Sequence, residues 1–175
     1  MMDPSTDGEL LAAAARARPE AVGELYRRHG DGVYALALRI TGSADDADDV
    51  LQDVFVGLPR ALQSYTERGR FSAWLRRVTV RVALSRLRAA KRKRQAPLEV
   101  GSSASVADAG AHPVDRITLE RAIARLPEKQ RVVFVLREIE GYPHGEIADL
   151  LGITEGASMV RLSRAWSALR KEAMP

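Results

Sequence analysis

The chain has 175 residues, no cysteine and a net charge of +4 with a pI of about 9.7. Its length suits one ordinary domain or two small ones, the lack of thiols excludes disulfides, thiolate zinc sites and a cysteine nucleophile, and the basic balance favours a nucleic-acid partner over a small-molecule pocket. Hydrophobic residues make up 46% and aromatics only 5%, so many small helical interfaces are expected rather than one large core. Ala and Leu dominate and alternating β-branched runs are scarce, which reads as all-α. No apolar run approaches membrane-spanning length. The first residues, MMDPSTDGEL, lack the basic and apolar regions of a signal peptide, so a cytoplasmic protein without membrane insertion is expected.

In chain order, residues 1–8 read as loose and Glu9 to Arg18 as a short Ala-rich helix. Pro19 breaks it and suits the first position of a helix to His29. Gly30 and Gly32 predict a turn, a third helix follows from about Val33 to Ile40, and Thr41-Gly42 ends it. Ser43 is the N-cap candidate for the next helix, with Asp45 and Asp46 placed where the dipole favours negative charge. That helix runs to about Leu62. Ala47, Val50, Leu51, Val54, Phe55, Leu58, Ala61 and Leu62 form its apolar face, and Asp46, Asp49, Gln52, Asp53 and Val56 its other face. Pro59 should kink it or end its regular hydrogen bonding. Ser64 to Arg70 reads as a loop.

Arg68 to Arg94 then carries eleven Lys or Arg residues and no acid. From Ser72 it has helical spacing through Trp74, Leu75, Val78, Val82 and Leu87. So many like charges on one helix suit a polyanion. Trp74 lies on the apolar face and reads as core, while Phe71 lies in or next to the loop. Residues 95–115 are rich in Ala, Gly, Ser and Pro and predict a flexible linker with a mean span of roughly 25 Å. The expectation is therefore two small helical domains, 1–94 and 116–175. The second opens with a helix from about Ile117 to Arg125. Another starts at Leu126 to Glu128 and ends at Glu140-Gly141, and a third covers about His144 to Leu151. A tight turn at Gly152-Ile153 leads to a last helix, Glu155 to Glu172, with Thr154 as its N-cap.

Three constellations carry functional meaning. In GEIADLLGIT, the small Ala148, the turn at Gly152 and the apolar Ile147, Leu151 and Ile153 have the spacing of a helix-turn-helix. Its second helix, with Arg161, Arg164, Arg170 and Lys171, would enter a major groove; the plainer reading is a helical hairpin with a solvated basic face. The basic helix can neutralise phosphates, and an exposed aromatic can stack on an unpaired base; the plainer reading is a solvated surface helix. The acidic face suits a protein with a basic surface, and its plainer reading is a well-capped helix start. Asp45, Asp46 and Asp49 also match the DDxxD pattern of magnesium-dependent diphosphate enzymes, but no second acidic motif accompanies them. His29, His112 and His144 have no metal-ligand spacing, and no catalytic set is visible, so neither an enzyme nor a cofactor is expected.

On these residues the chain resembles the extracytoplasmic-function sigma factors of bacterial RNA polymerase. The likeness lies in ELYRRHGDGVYALALRITGSADDADDVLQDVFVGLPRAL, with the D-A-x-D-x-x-Q-[DE]-x-F signature at Asp46 to Phe55, in RGRFSAWLRRVTVRVALSRLR, and in LPEKQRVVFVLREIEGYPHGEIADLLGITEG. The resemblance implies that Asp46, Asp49, Gln52 and Asp53 dock on the clamp helices of the polymerase's largest subunit. It implies that Arg68, Arg70, Phe71, Ser72, Arg77, Arg81 and Arg88 recognise and melt the −10 promoter element, with a flipped base held in the loop from Thr66 to Phe71. It implies that Thr154, Glu155, Ser158, Met159, Arg161 and Arg164 act at the −35 element, and that an anti-sigma factor holds the protein inactive. The chain departs from the family at Leu58-Pro59, where Trp is frequent, and at Arg81, where Asn is frequent. In the last helix Ser158 stands where an apolar core residue is usual, and Met159 and Val160 where polar DNA contacts are usual. A stand-alone helix-turn-helix regulator is the alternative reading.

Overall fold

In a computed structural model of the chain, residues 4–66, 70–95 and 114–173 are described. They form eight α-helices and one π-helical turn. Helix α1 covers Pro4–Ala15, α2 Pro19–Thr41, α3 Ala44–Leu62 and α4 Phe71–Gln95. A second group follows: α5 Val114–Arg125, α6 Glu128–Phe134, a π-helical turn at Val135–Ile139, α7 His144–Leu151 and α8 Glu155–Ala173. The expected linker falls mostly on 96–113 and the loose start partly on 1–3, both outside the described residues; α1 begins at Pro4, earlier than expected.

Helix α2 corrects one expectation. No turn forms at Gly30 and Gly32, and a single helix runs from Pro19 to Thr41. The reason is burial. Leu25, Val33, Leu36, Ala37 and Ile40 keep one stripe facing inward across the whole length, which outweighs the roughly 1 kcal/mol that each interior glycine costs. Gly30 is itself buried against the ring of Tyr26. The helix stops at Gly42, whose φ of 70° lies in the left-handed region and whose N–H bonds to the Leu38 carbonyl.

Helix α3 starts as expected, with the Ser43 hydroxyl accepting from the Asp46 N–H at 3.3 Å. It passes through Pro59 without ending there and closes at Leu62. Helix α4 lays Leu75, Thr79, Val80, Ala83 and Leu84 inward against α2 and α3. The Thr79 hydroxyl, fully buried, is satisfied by the Leu75 carbonyl at 2.8 Å.

In the second group the residues from Arg131 to Leu136 are buried in succession. A helix buried all round needs neighbours on every side. Here α2 of the first group packs on it together with α7 and α8 of the second. The two groups therefore pack on each other. Arg131 is the joint: it donates to the carbonyls of Thr41 at 2.8 Å and Leu126 at 3.0 Å, with longer bonds to Ile40 and Ala124. One guanidinium thus sits between the carbonyl ends of α2 and α5, where the helix dipoles favour a cation. Burial holds its pKa below the ordinary arginine range, against the pull of Glu128. Arg39 adds a fork onto Glu120, with Nε at 3.0 Å from both carboxylate oxygens.

Gly42 completes the joint. A Cβ there would lie 2.6 Å from the Arg131 guanidinium carbon, at a backbone angle that side chains rarely adopt. Gly42→Ala is expected to cost about 2 kcal/mol of stability through strain and displacement of Arg131. Urea unfolding checks it, and a loss below about 0.5 kcal/mol would refute the joint.

Candidate nucleic-acid interface

Helix α4 presents its cations in an order set by its packed face. Arg70, Arg81, Arg88, Lys91, Arg92, Lys93 and Arg94 are exposed, as is Ser72, while Arg77 is half-buried. Arg68 lies outside the described residues. The excess of charge is partly met within the chain. Arg76 forks onto Glu140, with Nε 2.8 Å from a carboxylate oxygen, and this bond holds the Arg76 pKa above its ordinary range. Arg86 bonds to Asp49 and, at 3.2 Å, to Asp53. The Arg88 guanidinium lies 3.4 Å from the Leu150 carbonyl. Part of the repulsion expected along this helix is therefore answered by the chain's own carboxylates and carbonyls.

The start of α4 meets an aromatic cluster that the sequence did not reveal. Phe71 packs edge-on to His29 with centroids 5.1 Å apart, beside Trp74 at 5.7 Å, and Tyr65 packs edge-on to Trp74 at 5.0 Å. Trp74 is partly buried against the core, as its position on the apolar face predicted. Phe71 belongs to the same cluster rather than standing free in the loop. The Tyr65 hydroxyl is buried there with no hydrogen-bond partner among the described residues. His29 comes from the middle of α2 and Tyr65 from just past the end of α3, and neither shares a sequence pattern with Phe71, so only the folded chain joins them.

In the first group, α2 and α3 also form an open groove lined by Val22, Tyr26, Asp48, Leu51, Gln52, Phe55 and Val56. Val56 is 74% exposed and Tyr26 47%, with Tyr26 edge-on to Phe55. Gln52 lies at this groove. Asp49, about a turn earlier, and Asp53, the next residue, face Arg86; Asp46 is half-buried at the helix start. Among the described residues no three His, Asp or Glu side chains gather as a metal site.

The helix-turn-helix forms where its spacing placed it. Gly152, at φ 62°, ends α7, and the Ile153 N–H bonds to the Ala148 carbonyl at 3.0 Å. Thr154 caps α8 by accepting from the Ala157 N–H at 3.1 Å. Glu155, Met159 and Arg164 are exposed. Ser158 is fully buried, and its hydroxyl lies 2.9 Å from His144 Nδ1. That corrects its expected DNA contact: the side chain is turned into the domain, pinning α8 to the start of α7. Arg161 is half-buried and lines a cleft with Arg88, Lys91, Leu87, Leu150 and Ile153. Two arginines expected at separate promoter elements, Arg88 and Arg161, thus border one cleft.

Two family models match the chain: Sigma-70 region 2 over residues 25–93 and Sigma-70, region 4 over residues 116–169. The extracytoplasmic-function RNA polymerase sigma factor SigM of Mycobacterium tuberculosis is 37% identical over 166 residues, covering 95% of this chain and 84% of the relative. SigW of Bacillus subtilis is 29% identical over 167 residues, covering 87% and 89%. Among solved structures, CnrH in complex with the cytosolic domain of CnrY is 28% identical with a TM-score of 0.51, covering 95% of this chain and 97% of that one. The sigma factor RpoE of Bartonella quintana, in complex with the anti-sigma factor NepR, has a TM-score of 0.60 at 21% identity over 86% of this chain and 95% of that one, a likeness of fold alone.

Proposed function

The chain belongs to the extracytoplasmic-function sigma factors of the sigma-70 family, and from that membership we propose how its surfaces divide the work of starting transcription. It is a sigma factor that joins core RNA polymerase and directs it to promoters through −10 and −35 contacts. The observation that carries this is the presence of region 2 and region 4 in one chain, in that order. A stand-alone helix-turn-helix regulator has no use for the first.

Residues 1–94 dock on polymerase and melt the −10 element, 95–115 form the linker, and 116–175 bind the −35 element. For docking, the apolar groove beside Gln52 supplies desolvated area, with Val56 and Tyr26 as its exposed anchors, and Asp46, Asp49 and Asp53 supply the charge that orients a basic helical partner. For melting, Arg70, just before α4, and Arg77, Arg81 and Arg88 on it hold phosphates. The stretch from Thr66 to Phe71 receives an extruded base, with the Phe71 ring clustered with those of His29, Tyr65 and Trp74; extrusion costs a few kcal/mol, offset by stacking and phosphate contacts. For −35 binding, Thr154, Glu155, Met159, Arg161 and Arg164 remain, and Ser158 drops out.

This assignment requires the two helix groups to part. The two elements stand about 25 base pairs apart, or about 85 Å at 3.4 Å per step, whereas Arg88 and Arg161 line one cleft. The packed arrangement is one that polymerase and DNA must open, and one an anti-sigma factor can hold. The protein works in the cytoplasm, where polymerase is, and catalyses nothing itself. Among the described residues no helix is long and apolar enough to cross a membrane.

The test is in vitro transcription with bacterial core polymerase and a promoter library. Initiation that depends on this chain is expected. No initiation from any template, together with sequence-specific duplex binding by the free chain, would establish the regulator reading instead.

A further inference from the structure

We infer that the recognition helix α8 reads thymine C5-methyl groups through Met159 and Val160, so that its −35 target carries thymine at two neighbouring base pairs. This rests on the promoter-binding role proposed for the second helix group.

The exposed stripe of α8 carries the inference. Ser158, Ala165 and Leu169 are buried on the inner face. The outer face of the first turns is Glu155, Gly156, Met159, Val160, Ser163 and Arg164. Met159 and Val160 are each 49% exposed, adjacent large apolar side chains left to water. Among the described residues nothing packs over their outward surface. Before Ser163 this stripe has no side-chain hydrogen-bond donor at all: Glu155 only accepts, and Gly156, Met159 and Val160 neither donate nor accept strongly. Such a face cannot read guanine O6 and N7, the commonest specific contact, at those positions.

The major groove displays one apolar group on its base edges, the thymine methyl. An apolar pair entering the groove is matched by that group and mismatched with every other edge. Gly156 strengthens the fit. A Cβ there would meet open space within the protein, so the fold does not demand glycine, and its absence of a side chain lets the helix lie close to the bases. Arg164, one turn beyond Val160 and exposed, supplies a phosphate contact that holds the helix in place. Adjacent helix residues meet neighbouring base pairs, with thymine on either strand.

The experiment uses the full chain assembled with bacterial core polymerase. Templates with a randomised −35 segment are selected by holoenzyme binding, and the selected element is rebuilt with deoxyuridine in place of each thymine in turn, which removes only the methyl. Two neighbouring positions are expected at which deoxyuridine lowers occupancy about four-fold each, the scale of one buried methyl. The double variant Met159→Ala with Val160→Ala should lose that sensitivity. Selection without neighbouring thymines, indifference to deoxyuridine, or a deoxyuridine effect that persists in the double variant would each overturn the inference. The deoxyuridine arm uses the unaltered protein, so misfolding of a variant cannot decide it. If the holoenzyme initiates normally while these tests fail, only the methyl readout is lost; if no holoenzyme forms, the promoter role fails with it.

Discussion

Asp49→Arg with Asp53→Arg is expected to abolish binding to core polymerase, with affinity falling at least 100-fold in a pull-down or anisotropy titration. Truncating one partner of a buried interfacial charge pair costs about 2 to 5 kcal/mol, and reversal adds repulsion against a basic partner helix. The structure adds a complication that decides how the experiment must be built. Both carboxylates are engaged by Arg86 of α4, so reversal also sets three arginines against one another.

The two effects separate by charge swapping. Adding Arg86→Glu to the double variant restores opposite charges across α3 and α4 while leaving the outward sign reversed. Because the Arg86, Asp49 and Asp53 side chains are 33%, 46% and 55% exposed, their ion pairs contribute only about 0 to 1 kcal/mol to folding. The triple variant should therefore melt like the parent and still fail to bind polymerase. Recovery of polymerase binding in the triple variant would mean that the carboxylates serve only to orient α4, and the docking assignment would fall. Val56→Asp provides an independent check on the neighbouring apolar groove: Val56 is 74% exposed, so folding should be spared while docking weakens.

What was legible in the sequence divides along the range of the interactions. The Ser43 and Thr154 caps, the Gly42 and Gly152 terminations and the helix-turn-helix are local, each set by residues within about one helical turn of one another, and each formed where its residues predicted. The Gly30 and Gly32 turn misled because glycine propensity is weak beside a buried stripe running through Leu25, Val33, Leu36 and Ile40. Ser158 was read in two ways, as a replaced core residue and as a DNA contact; its burial against His144 selects the first. The partners of Arg86 lie 33 and 37 residues away and the Thr41 carbonyl lies 90 from Arg131. No periodicity reports such distances.

Arg131→Ala is expected to be the most damaging single change to the fold, lowering stability by about 3 to 4 kcal/mol in urea unfolding. Hydrogen bonds to a charged group contribute about 1.5 to 3 kcal/mol each, and two short ones, to Thr41 and Leu126, depend on this side chain. Its removal leaves those carbonyls buried and opens a void at the carbonyl ends of α2 and α5. Against a total of about 5 to 15 kcal/mol for an ordinary domain, a substantial fraction of the native margin disappears. Arg131→Met separates the causes, because it keeps much of the volume and none of the donors. A loss close to that of alanine identifies the polar joint as the stabilising element; full rescue by methionine would reduce Arg131 to a packing residue. Gly42→Ala, which drives a Cβ into the guanidinium, should add to Arg131→Ala only the strain of its left-handed φ of 70°, since the group it displaces is already gone and coupled neighbours are non-additive. Fully additive losses would place Gly42 and Arg131 in separate structures rather than in one joint between the two helix groups.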